Sequence, residues 1–280
     1  MIRAVKSAFF RFFRTGLFAK VLIFSIVLSV LIILNTCADG YSMILFKRPR
    51  YIDREFLLYC LIRIILVLPM TNAVFCTSFT GNDLLFRSIN NKVATGISRR
   101  NIYLADLIVS CTATVIEVAV SYGIIISFGK FWPTKLGVKI DGYTVRLMIF
   151  ILISCVAFTA FYTLMQYFFS SKLFALIVAL LIVPCLFVFG QLVNAELEEP
   201  YRYSITNEET GETSWELNPK YVGGTSRKVM TFVYDTIPYT FQVIADPNTS
   251  NFTNGLAADG IVIVVTTAAG LSVLKKRELA

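Results

Sequence analysis

Long apolar runs, separated by short polar or basic segments, dominate the sequence. The runs predict membrane-spanning helices near Leu17–Thr36, Phe56–Ser78, Tyr103–Phe128, Val145–Phe169, Leu173–Val193 and Leu256–Leu274. At a rise of about 1.5 Å per residue, each helix can cross a hydrocarbon core of roughly 30 Å, the last one only just. Because the number of predicted spans is even, both chain termini are expected on the same side of the membrane.

The first 16 residues carry a different, amphipathic pattern. On a helical wheel, one side holds Ile2, Val5, Phe9, Phe12, Phe13 and Gly16, and the other holds Arg3, Lys6, Ser7, Arg11 and Arg14. A helix with an aromatic face and a basic face lies in the lipid headgroup layer, so we predict an interfacial helix over residues 1–16. Two alternatives stay open: an extension of the first span, and a cleavable signal, since Leu34 to Cys37 faintly resembles a lipoprotein cleavage box.

A polar loop over residues 79–102 separates the second and third predicted spans. Leu85, Ile89 and Val93 recur every four residues, which predicts a short helix with this stripe turned inward and with Arg87, Asn91 and Lys92 free. Gly96 is placed to end that helix as a C-cap glycine, and Ser98 to cap the next helix. Such a segment can receive mechanical work from a soluble partner, or it can be an ordinary solvated loop.

Composition supports the membrane assignment and excludes several enzyme classes. Hydrophobic residues make up 56% of the chain and charged residues only 16%, against about 25% charged residues in ordinary globular domains. The chain contains no histidine, which excludes a histidine general base, Ser-His-Asp and Cys-His sites, and histidine-ligated metals. Thirteen Lys and Arg residues lie on the side of the termini and eight in the short loops opposite, so the termini are expected in the cytoplasm.

The polar segment 194–255 is the longest stretch between two predicted spans, and we expect it on the outer side. Tyr201–Thr206 and Thr213–Leu217 alternate around a polar turn, which predicts a β-hairpin. Within Ser226–Ala245 the apolar residues recur at helical spacing, with Pro238 as a kink or break. The segment could act as a gate or substrate-sensing lid, or it could be a passive cap over the helix ends.

Among the polar residues inside the predicted spans we single out Arg63, Asp106, Glu117 and Gln166. An uncompensated charge near the bilayer centre costs about 2.5 to 3.5 kcal/mol or more, so each charged side chain needs a partner or water. Arg63 and Glu117 are predicted at similar depths, and we consider an ion pair between them against separate solvation. Asp106 is close enough to the inner end of its helix to reach the interface, and Gln166 is expected to form an interhelical hydrogen bond.

The loop and the tail carry a resemblance to a known family. Ser88-Ile89-Asn90-Asn91-Lys92, followed by Gly96-Ile97-Ser98-Arg99 and Ile102, is similar to the cytoplasmic loop of ABC transporter type 2 permeases. The tail from Gly270 to Leu279 resembles the usual ending of that family. Asn90 stands where Arg is common in the family, and Arg87 where a small Gly is common.

The resemblance implies an all-α membrane protein: six transmembrane helices, an N-terminal amphipathic elbow helix, a cytoplasmic coupling helix and a small extracellular α+β insertion. The corresponding regions are residues 1–16 (interfacial helix), 17–193 (spans one to five, with coupling loop 79–102), 194–255 (insertion) and 256–280 (span six and basic tail). It further implies a multi-pass subunit of the cell membrane, with both termini cytoplasmic, that pairs with a second permease subunit in a homodimer or heterodimer.

In that family, separate ATPase subunits bind the cytoplasmic loop and drive export. The resemblance therefore places Asn91, Lys92, Gly96, Ser98 and Arg99 in the ATPase-coupling element, with ATP and Mg²⁺ bound by the partner and no cofactor on this chain. The sequence contains no GxxxxGK[ST] phosphate loop. We expect membrane lipid as a further partner, and we do not expect the chain to bind nucleic acid. The alternatives are a transporter or channel driven by an ion gradient, and a membrane sensor using the outer segment.

Overall fold

The computed structural model describes residues 1–45, 52–85, 88–131, 140–169, 171–206, 213–236 and 252–276. Nearly all of the described chain is helical. In chain order the elements are α1 (Ile2–Arg14), α2 (Leu17–Leu45), α3 (Ile52–Leu85), α4 (Ser88–Ala94), α5 (Arg99–Phe131), α6 (Gly142–Phe168), α7 (Lys172–Glu198), β1 (Arg202–Thr206), β2 (Thr213–Leu217), α8 (Gly224–Thr236) and α9 (Phe252–Lys276).

Six of these helices, namely α2, α3, α5, α6, α7 and α9, are long and apolar enough to cross a membrane. The prediction of six spans is confirmed, and so is the coarse fold class of an all-α membrane protein. The difference that matters most for the site lies in α3, which continues to Leu85 rather than ending near Ser78. Its last two turns stay helical because Thr80 and Asp83, although polar, are buried against the bundle rather than exposed in a loop.

The core of the bundle lies between α3, α5 and α6. In the most apolar stretch of α3 and of α6, 67% of the residues are buried, and in that of α5 50% are buried. In the corresponding stretches of α2, α7 and α9, at most 22% of the residues are buried. Helices α2 and α9 therefore present most of their apolar side chains outward. This division matters for the site, because the polar residues of the spans are concentrated on the three central helices.

Helix α1 packs along α5, with Ala4, Ala8 and Phe12 as its buried residues. The Phe12 ring contacts the ring of Phe18, at 4.6 Å between centroids, and the ring of Phe75, at 6.0 Å. The predicted aromatic face is thus divided. Ile2 and Phe13 are each 77% exposed, while Phe12 enters the protein, because two alanines on the same face allow α1 to approach the bundle closely.

Helix α4 forms where the loop periodicity predicts it, and both predicted caps are confirmed. Gly96 has a φ of +84°, and its N–H donates to Val93 O at 2.9 Å while the Ile97 N–H donates to Lys92 O at 3.1 Å. These two bonds define a Schellman motif. At the start of α5, Ser98 Oγ accepts from the Asn101 N–H at 3.4 Å.

The inward stripe of α4 is only partly as predicted. Ile89 is buried and Val93 packs against the same apolar cluster, whereas Leu85 is 60% exposed because it ends α3 instead of joining α4. Arg87, one of the residues predicted to be free, lies outside the described residues.

A second compact unit comprises residues Pro184–Ala258. Strands β1 and β2 pair antiparallel, with Arg202 opposite Leu217 and Thr206 opposite Thr213, which confirms the hairpin. The predicted helix is present as α8, and its Arg227 donates from Nη2 to Leu197 O at 2.7 Å. Pro238 lies outside the described residues.

Helix α9 meets α5 at one very close approach. A Cβ atom placed on Gly270 would lie 2.2 Å from Cζ of Tyr103, so no side chain fits at this position. Both Gly270 and Tyr103 are fully buried. The Tyr103 hydroxyl donates to Thr266 O on α9 at 3.3 Å.

Candidate functional site

Asp83, near the end of α3, binds groups from two other helices. Its carboxylate forms an ion pair with Arg11 of α1 and accepts from Lys92 Nζ of α4 at 2.5 Å. Ser88, the first residue of α4, donates its hydroxyl to Asp83 Oδ1 at 2.7 Å. Only 5% of the Asp83 side chain is exposed. Asp83 therefore fastens α4 and α1 to the end of α3.

Asp106, on α5, shares Arg11 with Asp83. Arg11 Nη2 donates to Asp106 Oδ1 at 3.0 Å, and the Tyr167 hydroxyl of α6 donates to Oδ2 at 2.6 Å. The Arg11 guanidinium also lies 3.9 Å from the centroid of the Phe79 ring. We call these residues, Arg11, Asp83, Lys92, Asp106 and Tyr167, the charged cluster. It joins five helices at one end of the bundle, which we call the α4 end.

Two sequence predictions change here. Arg11 was expected on the lipid or solvent side of the first helix, and Lys92 was expected to be free. Both point inward instead, because two buried carboxylates offer them charge-assisted hydrogen bonds that outweigh the loss of solvation. Asp106 is fully buried, and it accepts hydrogen bonds from Arg11 and Tyr167.

The residues expected to couple to an ATPase divide into two sets. Asn91, Gly96 and Ser98 are exposed, whereas Lys92 and Arg99 are half-buried. The exposed residues lie on the outer surface of α4 and the turn that follows it. Lys92 instead lies on the inner side of α4 and is held by Asp83.

Glu117, in the middle of α5, is only 1% exposed. Its carboxyl contacts the Thr71 hydroxyl of α3 and lies beside Ser25 of α2. One turn further along α5, Ser121 Oγ lies 3.2 Å from Ser29 Oγ and 3.5 Å from Ser25 Oγ. The surroundings of this carboxyl are thus hydroxyl groups.

Arg63 and Glu117 have different partners. Arg63 Nη1 donates to Thr36 Oγ1 at 3.0 Å. Thr71, which contacts Glu117, lies eight residues further along α3, a rise of about 12 Å. Both side chains are described, and no ion pair links them. The geometry thus favours separate solvation of the two groups, the alternative that the sequence leaves open beside an ion pair.

A polar interface runs between α3, α5 and α6 from Glu117 toward the α4 end. Thr114 Oγ1 lies 2.7 Å from Thr159 Oγ1 and 3.1 Å from Asn72 Oδ1. Beyond this group, several buried polar atoms have no hydrogen-bond partner among the described residues: Asn72 Nδ2, Thr80 Oγ1, Ser110 Oγ, Tyr162 Oη, and both polar atoms of Gln166. We call these the unpaired polar groups.

Gln166 was expected to bridge helices by a hydrogen bond, and within the described residues it does not. Its side chain is fully buried, next to Gly81 of α3, where an added Cβ would lie 3.2 Å from Gln166 Cδ. Among the described residues neither the amide nitrogen nor the amide oxygen of Gln166 has a hydrogen-bond partner. Such a group is costly to bury and calls for a functional explanation.

Sequence reasoning missed Arg11, Asp83 and Tyr167 as site residues. One signal for Arg11 was present: it follows Ala4 and Ala8 on the same face of α1, a face small enough to pack against another helix. Asp83 was placed in a loop, because the apolar run ends before it. Tyr167 is indistinguishable by pattern from an ordinary interfacial aromatic residue.

No protein-family model, curated protein or solved structure matches this chain. The resemblance to ABC transporter type 2 permeases therefore rests on the residues of the 88–102 segment and of the tail. The arguments on function that follow depend on the geometry of the described residues.

Proposed function

We propose that the chain is the transmembrane permease subunit of an ATP-driven ABC exporter in the cell membrane. A separate ATPase subunit, which binds ATP and Mg²⁺, docks on the α4 segment from the cytoplasm, and a second permease subunit completes the transporter. In this proposal the α4 end is cytoplasmic, α1 is the interfacial elbow, and the Pro184–Ala258 unit is extracellular. The chain itself is not an enzyme.

One observation carries the proposal: α4 is exposed on its outer side and fastened on its inner side. Asn91, Gly96 and Ser98 are available to a soluble partner. Lys92 and Ser88 are bound to Asp83, which is also paired with Arg11. A displacement of α4 is therefore passed directly to α3 and α1, as a coupling element requires.

The exposed side chains of α1 support its assignment as an interfacial elbow. Ile2, Phe10 and Phe13 point away from the bundle, and Arg14 is exposed in the last turn. Apolar side chains beside a basic residue suit the boundary between acyl chains and anionic headgroups. Membrane lipid is accordingly the partner that we assign to this face.

Photo-crosslinking tests the docking surface directly. A photoreactive residue at Asn91 or Ser98 should capture an ABC ATPase in membranes of the native host, identified by mass spectrometry. The same residue at Lys220, an exposed position in the Pro184–Ala258 unit, should capture none. Equal yields at both positions, or no ATPase at Asn91 and Ser98, would refute the docking proposal.

Charge-reversal variants distinguish residues that contact the ATPase from residues that hold α4 against the bundle. Asn91→Glu changes only the exposed surface and should weaken ATPase binding while leaving the stability of the subunit unaltered. Lys92→Glu places a second carboxylate beside Asp83, so it should both destabilise the subunit and uncouple ATP hydrolysis from transport. The double variant Lys92→Glu with Arg99→Glu should be uncoupled but still inserted in the membrane; retained coupling in that variant argues against the role of α4.

A further inference from the structure

The polar residues of α5 form one continuous stripe. Their spacing of four, four, three and four residues repeats the period of one helix face, and each is at most 1% exposed: Asp106, Ser110, Thr114, Glu117 and Ser121. The stripe begins in the charged cluster and passes through the centre of the predicted span. A membrane helix that buries five polar residues on one face needs partners for them from its neighbours.

Helices α3 and α6 face this stripe with polar residues of their own. From α3 come Asn72, Cys76 and Thr80, and from α6 Thr159, Tyr162 and Gln166, all of them buried. The unpaired polar groups lie along this same interface. An unpaired buried polar group destabilises the folded protein, and ordered water that makes two to four hydrogen bonds is the usual way proteins satisfy such a group.

Glu117 lies at the end of this interface that is farther from α4, and among the described residues no cation forms an ion pair with it. Arg11 and Lys92 bind the two aspartates, Arg63 donates to Thr36, and the side chains of Cys76, Tyr162 and Tyr167 are uncharged. Helix α2 contributes only the hydroxyls of Ser25 and Ser29 here. A carboxylate in such surroundings is strongly disfavoured relative to the neutral acid.

The hydrogen bonds of Thr71 lead to the same protonation state. Thr71 Oγ1 is 2.8 Å from Leu68 O, an atom that can only accept, and it also contacts a Glu117 carboxyl oxygen. A hydroxyl has a single hydrogen, so Thr71 cannot donate fully to Leu68 O and to Glu117 at once. A proton on the Glu117 carboxyl group lets both contacts be hydrogen bonds.

We propose that Glu117 is a proton-binding site, and that ordered water along the α3–α5–α6 interface connects it with solvent at the α4 end. The path from Glu117 to Asp106 covers eleven residues of α5, about 16 Å. The groups along it can each donate or accept a hydrogen bond to water: Thr114, Ser110, Tyr162 and Gln166. At its end, Arg11 and Lys92 are 19% and 18% exposed and so reach solvent.

In this proposal the proton leaves the Glu117 hydroxyl for a neighbouring water molecule. The carboxylate left behind accepts from Ser25 and from Thr71, whose hydrogen turns from Leu68 O to the carboxylate. Protonation reverses the same step. The site needs no ATPase and does not depend on the exporter proposal. It gives the chain a group whose charge can change within the bundle during transport.

Infrared spectroscopy of the full-length chain in nanodiscs tests both parts. At neutral pH the spectrum should contain the carbonyl band of a neutral carboxyl group that Glu117→Gln removes; an exposed glutamate is ionised there. In D₂O that band shifts as the proton exchanges. Ser110→Val and Gln166→Leu should slow this exchange by about tenfold or more, since each factor of ten corresponds to about 1.4 kcal/mol in the barrier.

Thr112→Val is the matched control, because Thr112 is on α5 but donates its hydroxyl to Ile108 O at 2.8 Å, off the stripe. Its exchange rate should equal that of the unmodified chain. A spectrum that Glu117→Gln leaves unchanged would overturn the proton site. Equal exchange in Ser110→Val, Gln166→Leu and Thr112→Val would overturn the water path. Loss of the band on adding sodium at constant pH would replace the proton by a metal cation as the ligand.

Discussion

At the α4 end of the bundle, two buried aspartates share one arginine and are each completed by a further donor. About 16 Å away along α5, Glu117 has only hydroxyl groups around it. The first region combines charges of both signs and holds five helices together. The unpaired polar groups lie on α3, α5 and α6 between Glu117 and the α4 end, and they add nothing to cohesion. Charge pairing thus marks the structural end of the bundle, and the uncharged surroundings of Glu117 mark the part available for function.

Among the variants that test this comparison, removal of the Arg11 side chain should cause the largest loss of stability. Arg11→Ala leaves Asp83 with Lys92 alone and Asp106 with no cation, and breaking a buried ion pair costs about 3–5 kcal/mol. Thermal unfolding of the purified chain should show a large loss of stability. Arg14→Ala, an exposed arginine one turn away on the same helix, should leave stability unchanged. Equal losses in the two variants would mean that the charged cluster does not hold α1.

Replacing Lys92 by a neutral residue should increase local unfolding of α4 while the rest of the bundle stays folded. Lys92→Met keeps the length of the side chain but removes a hydrogen bond between charged groups, which contributes about 1.5–3 kcal/mol. Hydrogen exchange of the α4 amides should accelerate, while the amides of α5 and α6 remain protected. Asn91→Ala, on the exposed side of the same helix, is the control. Unchanged exchange in Lys92→Met would show that the Asp83 contact does not hold α4.

The Glu117 region should respond less strongly. Thr71→Val removes the hydroxyl next to the carboxyl group and is expected to cost about 1–3 kcal/mol, the penalty for one buried group left without a partner. Thr77→Val is matched to it: Thr77 is equally buried on α3, but donates to Ala73 O of its own helix at 2.7 Å. Thermal unfolding should place Thr71→Val clearly below Thr77→Val. The reverse order would contradict the contact.

The smallest effect, and the one of opposite sign, is expected for Gln166. Gln166→Leu replaces a buried amide without partners by an apolar side chain of similar size, so stability should stay the same or rise by about 1 kcal/mol. The same variant should impair proton exchange at Glu117. A clear loss of stability would show that the amide is satisfied in the native protein by groups outside the described residues.

The sequence predicts the large-scale architecture well because membrane burial acts on whole segments. A run such as Leu173–Val193 has no charged residue and is long enough to span a membrane as a helix. The Gly96 and Ser98 caps follow from local backbone rules. The five residues that were expected to contact an ATPase lie, as predicted, on α4, in the turn that follows it and at the start of α5. Each of these predictions depends on residues that are neighbours in the chain.

The contacts between side chains of different helices inside the bundle could not be predicted in the same way. Whether Arg11 faces lipid or protein depends on Asp83 and Asp106, which are 72 and 95 residues away in the sequence. Depth alone suggested Arg63 as the partner of Glu117, but depth does not give the rotation of a helix about its axis. That rotation decides that Thr71 rather than Arg63 faces Glu117, and it is set by packing of the whole bundle.

The contact between Gly270 and Tyr103 has a consequence for biosynthesis. Tyr103 leaves the ribosome long before Gly270, since 166 residues lie between them, so α5 must wait in the bilayer with the Tyr103 ring uncovered. Synthesis at about 5–20 residues per second makes this interval at least several seconds. Docking of α9 is then a late step of assembly, and a chain released before Gly270 would expose the Tyr103 ring to lipid or to membrane quality control.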